Sequence, residues 1–351
     1  MSITLNHKFV LVNVVVAVLF ATSIVHAAPP KPRIELELGF EKGAPIDAQQ
    51  RWFKILTERG VTGLRIRQQE PGEQPSLVAG GTKDAPSYRV LGTITTGSVL
   101  IVPGGNFGPN DSAALDKWLK ELGENGVQGV TEKKTAFGLT PKQFADVHED
   151  LSRKVDFTTK GLAPKAVLSK LAGQLTTPFT VEESAKKSLA EGDAVREEFE
   201  GLSSGTTMAA ILRPAGLVMI PRKPTGNPVE FYVTSGKDVK EFWPIGWPPE
   251  KLVKDLVPIY FEFLNIEIDD ITSEEAIAAL HERIKIPFVY DYNGMARAKI
   301  DLTKSKIKVP EKKTYYLKAL QHVLQQSNLK HETRVDEAGT PFEWITPFRG
   351  G

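Results

Sequence analysis

The chain has 351 residues, with 44 basic side chains against 43 acidic ones and no cysteine. The missing thiol excludes disulfides, thiol catalysis, cysteine-based metal sites and a lipidated N-terminal cysteine. Balanced charge offers no footprint for nucleic acid or an anionic membrane, and a chain this long can bury real cores without bridges.

The N-terminus reads as an export signal over residues 1–27. His7 and Lys8 precede an apolar run from Phe9 to Val25, and Val25-His26-Ala27 places small residues where a signal peptidase needs them. Cleavage after Ala27 is the expectation. The competing reading, an uncleaved anchor, is short for a bilayer, because its seventeen residues would span roughly 25 Å as a helix. After cleavage no stable membrane span is expected, and the protein should be periplasmic or extracellular.

A first lobe occupies residues 33–130. Ile34, Leu36 and Leu38 alternate with Glu35 and Glu37, as in a half-buried strand. Asp47 is placed to cap a helix carrying Trp52, Ile55 and Leu56 that stops at Gly60. Leu64 to Arg67 resumes a strand, the polar Gly/Pro-rich stretch from Gln68 to Ser87 reads as a long loop, and Tyr88 to Ile94 with Ser98 to Val102 reads as a hairpin. Asp111 or Ser112 opens a helix with Leu115, Trp118, Leu119 and Leu122 on one face. The element order predicts a small antiparallel or mixed sheet with helices on one side.

A connector, residues 131–152, holds a short helix opened by Thr140-Pro141. The second lobe (153–235) should contain strand Val155 to Phe157, a helix from Pro164 to Leu175, strand Phe179 to Val181, a charged stretch, and a strand at Val195 to Phe199. A helix from Thr206 to Leu212 and the hairpin Leu217 to Ile220 with Val229 to Val233 close it. A Trp/Pro-rich joint (236–258) includes Phe242-Trp243-Pro244-Ile245-Gly246-Trp247-Pro248-Pro249. The third lobe (259–347) follows the second: strand Phe261 to Ile268, helix Ser273 to Lys285, strand Phe288 to Tyr290, strand Ile307 to Val309, helix Thr314 to Gln326, and strands Leu329 to Val335 and Phe342 to Thr346.

The correspondence is an internal duplication. Pro178-Phe179 and Pro287-Phe288 are 109 positions apart, each closing an apolar helical stripe: Leu168, Leu171, Leu175 in one copy and Ile277, Leu280, Ile284 in the other. Gly226 to Tyr232 faces Gly339 to Ile345 at an offset of 113. The expected class is therefore α+β, with three small sheet-plus-helix lobes of which the last two are copies.

A strand, a helix ending near a Pro-Phe strand, a second helix and a terminal hairpin resemble the short N-terminal periplasmic domain of secretins and TonB-dependent receptors. Ala209 to Leu217 and Glu275 to Leu280 carry the likeness most closely. It covers about half of the chain, as two degenerate copies near 150–235 and 260–347, and leaves the first lobe unplaced. The resemblance implies a docking and ring-assembly module with no catalytic residues, cofactor or metal. Secretins and receptors continue into a membrane barrel, whereas here Gly351 follows the third lobe closely, so the expectation is such a module without its barrel.

Other motifs are weaker. Gly201-Leu202-Ser203-Ser204-Gly205 fits the G-x-S-x-G elbow of serine hydrolases, with His281, His322 and His331 as formal partners, but Arg196 to Glu200 is too charged to be the buried strand before it. A structural turn is expected. His148-Glu149, His281-Glu282 and His331-Glu332 lack the second histidine of a zinc helix. Pro103 to Asp111 is a Gly-rich turn lacking the Lys-Ser/Thr of a phosphate loop. Phe242, Trp243 and Trp247 are the candidate interaction surface, against the alternative that the tryptophans pack the seam between lobes. The leading function is protein–protein docking, with an envelope protein or by self-association. A serine hydrolase using Ser203 and a small-ligand or glycan-binding protein are the alternatives.

Overall fold

The computed structural model describes residues 32–348 except 62, 83–84 and 225–226. The export segment with Ala27 and residue Gly226 lie outside the described residues. Within them, ten α-helices and 14 strands form several small sheets in an α+β arrangement.

In the first lobe, β1 (Arg33–Phe40), α1 (Ile46–Glu58) and β2 (Gly63–Gln68) make a parallel crossover unit. β4 (Ala85–Ile94) runs parallel along the other edge of β1, while β3 (Ser76–Thr82) and β5 (Leu100–Val102) share the far edge of β4 as antiparallel neighbours. β6 (Gly105–Phe107) continues from β5. Strand alternation sends Leu36, Leu38 and Phe40 to one face. There they pack with Trp52 and Leu56 of α1 and with Leu115, Trp118 and Leu122 of α2 (Ser112–Thr131). The opposite face is a charge lattice in which Glu35 meets Arg33 and Arg89, and Glu37 meets Arg67.

Two expectations fail in this lobe. The stretch 68–87 is not one loop, because its small and apolar residues from Ser76 onward complete the sheet as β3. Asp47 does not cap α1: the helix starts two residues earlier than such a cap would set it, with Pro45 at the cap position and its fixed φ in place of a side-chain acceptor. α2 does open at Ser112 with Asp111 at the cap position, but the Asp111 carboxylate turns back to accept the Gly108 amide at 2.7 Å instead of a helix amide. The helix also continues through a kink at Gly126 (φ 65°) to Thr131.

The connector helix α3 (Pro141–Leu151) opens with a full capping box between Thr140 and Gln143. It is no mere spacer, because Leu139, Val147 and Leu151 enter the core of the second lobe.

The second lobe contains α4 (Pro164–Gln174), β7 (Phe179–Val181), α5 (Glu183–Ala190), α6 (Ser204–Leu212), β8 (Leu217–Arg222) and β9 (Glu230–Ser235). After the short helix α7 (Val253–Leu256), the third contains β10 (Phe263–Thr272), α8 (Ser273–Ile284), β11 (Phe288–Tyr290), α9 (Tyr292–Arg297), β12 (Lys306–Tyr315), α10 (Tyr316–Gln326), β13 (Leu329–Val335) and β14 (Pro341–Pro347). The three-stranded sheets β7-β9-β8 and β11-β14-β13 have the same order and the same sense of every pairing.

Individual backbone bonds repeat as well. Phe231 N–H bonds Pro178 C=O, and Glu343 N–H bonds Pro287 C=O. Glu182 to Val233 is matched by Asp291 to Ile345, Gly236 to Gly216 by Phe348 to Asn328, and Ser204 to Arg153 by Tyr316 to Glu262. Phe179 and Phe288 thus occupy equivalent places. These bonds keep the offset of 109 for the first half of the repeat but set the hairpin at 112 (231 to 343), one less than its Gly, Pro and Glu spacing suggests. The difference matters, because a one-residue slip exchanges the two faces of a strand: the counterpart of core residue Phe231 is Glu343, not Trp344.

Two predicted strands are missing from the first copy. Residues 155–157 and 195–199 form no strands, and a single bridge joins Lys154 to Ser203. Here Thr159 and the Glu198 carboxylate bind each other and nearby amides instead of extending a ladder. The second copy extends the equivalent bridge, Phe263 to Tyr315, into the two-stranded ribbon β10-β12. The charged stretch after β7 is helix α5.

Phe231 is fully buried under the helices of the second lobe. Phe231→Ala should lower unfolding free energy by about 3–5 kcal/mol in urea denaturation.

Candidate functional site

The joint between the copies is built from sheet edges. Trp243 N–H bonds Met219 C=O on the edge of β8 at 2.8 Å, and Trp247 exchanges both backbone bonds with Val335 at the end of β13. Gly246 turns between them with φ 65°; a Cβ there would stand 2.4 Å from the Phe342 ring. Trp243 is 1 % exposed and meets Trp247 edge to face at 5.4 Å, with Phe137, Phe144 and His148 around them. Of the two readings of the tryptophans, the geometry matches the seam: Trp243 is buried and Trp247 half-buried between the copies, and Phe242 alone of the three candidate surface residues stays exposed.

Beneath Trp243 lies a buried polar cluster. Glu337, in the turn between β13 and β14, accepts from the Ser203 hydroxyl, from the Thr206 amide and hydroxyl at 3.0 and 2.9 Å, and from the Trp243 indole at 2.5 Å. Asp336 beside it accepts the Ser203 amide at 2.7 Å and the amides of Ala338 and Thr340. A carboxylate from the second copy thus sits at the N-terminus of α6 in the first, where free amides and the helix dipole favour negative charge. A second link joins Arg213, at the other end of α6, to Asp291 through two bonds of 2.9 and 3.1 Å.

This placement answers the elbow motif. Ser203 is fully buried, its hydroxyl bonds a carboxylate, and none of its hydrogen bonds is to a histidine. His281 stacks on Phe288 at 4.5 Å, where burial lowers its pKa, and His331 bonds Glu343. Gly201, with φ 86°, supplies the turn. Among the described residues no group of three or more His, Asp or Glu is arranged to hold a metal. In the Gly-rich turn, the Asp111 carboxylate already occupies the Gly108 amide that an anion would use.

Sequence reasoning missed a difference between the two cores. Where the first copy has Leu151, Met219, Pro221 and Phe231, the second has Tyr260, His331, Thr333 and Glu343. Glu343 is fully buried and accepts from Thr333 at 2.6 Å while meeting His331 Nδ1 at 2.5 Å. The Tyr260 ring lies edge-on to His331. Burial, and then the Glu343 charge, raise its pKa, although its hydroxyl reaches no acceptor in bonding geometry. The signal was a lone acid inside Pro341-Phe342-Glu343-Trp344-Ile345, legible only with the 112 offset.

Exposed aromatics lie at the start of the β10-β12 ribbon and in the turn just before it. Phe261 and Phe263 are 48 % and 60 % exposed. Phe263 lies across from Tyr315 with ring centres 4.4 Å apart, and the Lys313 ammonium stands 4.8 Å over the Phe263 ring. The first copy has Ser152, Lys154 and Ser203 at the positions of the three rings.

No protein-family model, curated protein or solved structure matches the chain.

Glu337→Ala should orphan several buried donors at about 1–3 kcal/mol each. Urea denaturation should show a loss of at least about 3 kcal/mol, and Glu337→Gln, which keeps an acceptor, should lose less than half of that. Asp150 carries a pH signature. Burial disfavours its charge, but the amides of Thr177 and Thr176 outweigh burial and hold its pKa below the usual carboxylate value. A depressed folded pKa stabilises fully above the unfolded value and is lost as pH falls through the folded one. Asp150→Asn should therefore flatten the acid limb of the melting temperature against pH, below about pH 4.

Proposed function

We propose that this chain is an exported, non-enzymatic protein of the cell envelope that works as a protein–protein docking module, built on two fused copies of a unit resembling the short domain of secretins and TonB-dependent receptors. The observation that carries the reading is the aromatic surface on the second copy. Phe263 stands outward at the start of the ribbon beside half-buried Tyr315, with exposed Phe261 in the turn before it, whereas the equivalent of the ribbon in the first copy is reduced to one bridge and bears serine and lysine. Exposed aromatic rings beside a cation have the composition of contact hot spots in protein interfaces.

Further support comes from the repeat itself. Each copy has the helix, Pro-Phe strand, second helix and terminal hairpin on which the resemblance rests. Trp243 and Trp247 are packed in the seam, whereas Phe263 is exposed and grouped with Tyr315 and the Lys313 ammonium. The partner expected is a protein of the envelope, and no cofactor or metal enters the reading.

A photo-crosslinking side chain at position 263 in intact cells should trap one discrete envelope protein. Adding Phe261→Ser and Tyr315→Ser should abolish that product while the melting temperature moves by no more than about 2 °C, because exposed substitutions cost about 0.5 kcal/mol or less. An unchanged crosslink would end the proposal. The mass of the purified chain checks export: it should begin at Ala28.

A further inference from the structure

Edge strands invite pairing with another chain, and proteins block most of them with charge, proline, shortness or a covering segment. Among the described residues, the free edges follow that rule with one exception. β2 carries Arg65 and Arg67; β8 ends in Pro221-Arg222 and is partly covered by Trp243; β13 carries Lys330, Glu332 and Arg334 and is closed at one end by Trp247. The ribbon carries Asp269 and Asp270 on β10 and Lys306, Lys308, Lys312 and Lys313 on β12. β6, β7 and β11 are three residues long.

The exception is β3. Its sequence, Ser76-Leu77-Val78-Ala79-Gly80-Gly81-Thr82, has no charge and no proline. One edge pairs with β4, and among the described residues the other pairs with nothing. Leu77 turns toward the first-lobe core, while Val78 on the opposite face is 62 % exposed. Gly81, with φ 78°, ends the regular run, leaving Ser76 to Gly80 as the pairing segment.

We propose that this edge is where two copies of the chain pair, β3 against β3, antiparallel about a two-fold axis at Val78. The occupant follows from self-complementarity. A two-fold antiparallel pair sets positions equidistant from its centre opposite one another, and like charges opposite each other are destabilising. β3 meets that condition, whereas β2, β12 and β13 would oppose charged positions. The register places Val78 against Val78, a β-branched cross-strand pair, and Leu77 against Ala79. Among the described residues, the nearest charge on the same face is Arg89, paired across β4 with Val78 and with Glu35 in reach. Three strand spacings would separate the two Arg89 positions, about 14 Å, beyond the screening length of about 8 Å at physiological salt. Five residues on each side make a small interface, so the dimer should be concentration-dependent.

Sedimentation velocity on the purified full chain, from micromolar to millimolar, tests this. The wild type should move from monomer to dimer across that range. Val78→Lys and Val78→Glu, at an exposed position, should each keep the wild-type circular dichroism and weaken dimerisation at least tenfold, and an equimolar mixture of the two should recover a dimer. A wild type monomeric throughout, or single variants that dimerise as well as the wild type, would overturn the proposal. The ribbon variants leave this edge intact and should dimerise normally, so failure of one proposal is separable from failure of the other.

Discussion

The carboxylate of Glu337 rests on the first turn of a helix that belongs to the other copy, and the placement of the two repeats follows from how that charge is satisfied. Its partners are neutral donors: a hydroxyl from Ser203, an amide and hydroxyl from Thr206, an indole N–H from Trp243. Burying a carboxylate costs several kcal/mol unless its hydrogen bonds are made. The cluster is therefore stable only while the β13-β14 turn, the start of α6 and the joint keep hydrogen-bonding distance. Gly205 shows how closely they fit, since a Cβ at that position would stand 2.6 Å from a Glu337 oxygen. Arg213 and Asp291 fix the far end of the same helix, so α6 is held to the second copy at both ends.

With the seam fixed, the copies are free to differ elsewhere, and they do so along two lines. Inside, a Leu-Met-Pro-Phe group is exchanged for Tyr-His-Thr-Glu at the same backbone positions. Outside, a single bridge has grown into a ribbon with aromatic rings toward solvent. The shared hydrogen-bond skeleton makes the differences interpretable, because each residue of one copy has a counterpart against which its chemistry can be read.

Much of this fold was legible before the structure. The α4 and α8 stripes, the Pro-Phe strands and the terminal hairpins carry strong apolar periodicity, and they lie within a residue or two of where their patterns put them. Elements held by long-range partners were not legible. β3 is small and weakly patterned, and it is a strand because β4 supplies its hydrogen bonds. The cap was misread at Asp47, which lies inside the first turn of α1, whereas Asp111 holds the cap position of α2 but turns its carboxylate to the Gly108 amide. The tryptophans left two readings open. Their proline-rich setting suits an exposed anchor and a packed seam alike, and the edges of β8 and β13, distant in sequence, decided between them.

β14 is covered from both sides. Glu343 and Ile345 face its own helices, while Phe342 and Trp344 belong to the core of the preceding lobe. A strand with two dry faces ties the repeats into one cooperative unit. Neither half can be lost, reordered or excised without baring the other's interior, so the two repeats stand or fall together.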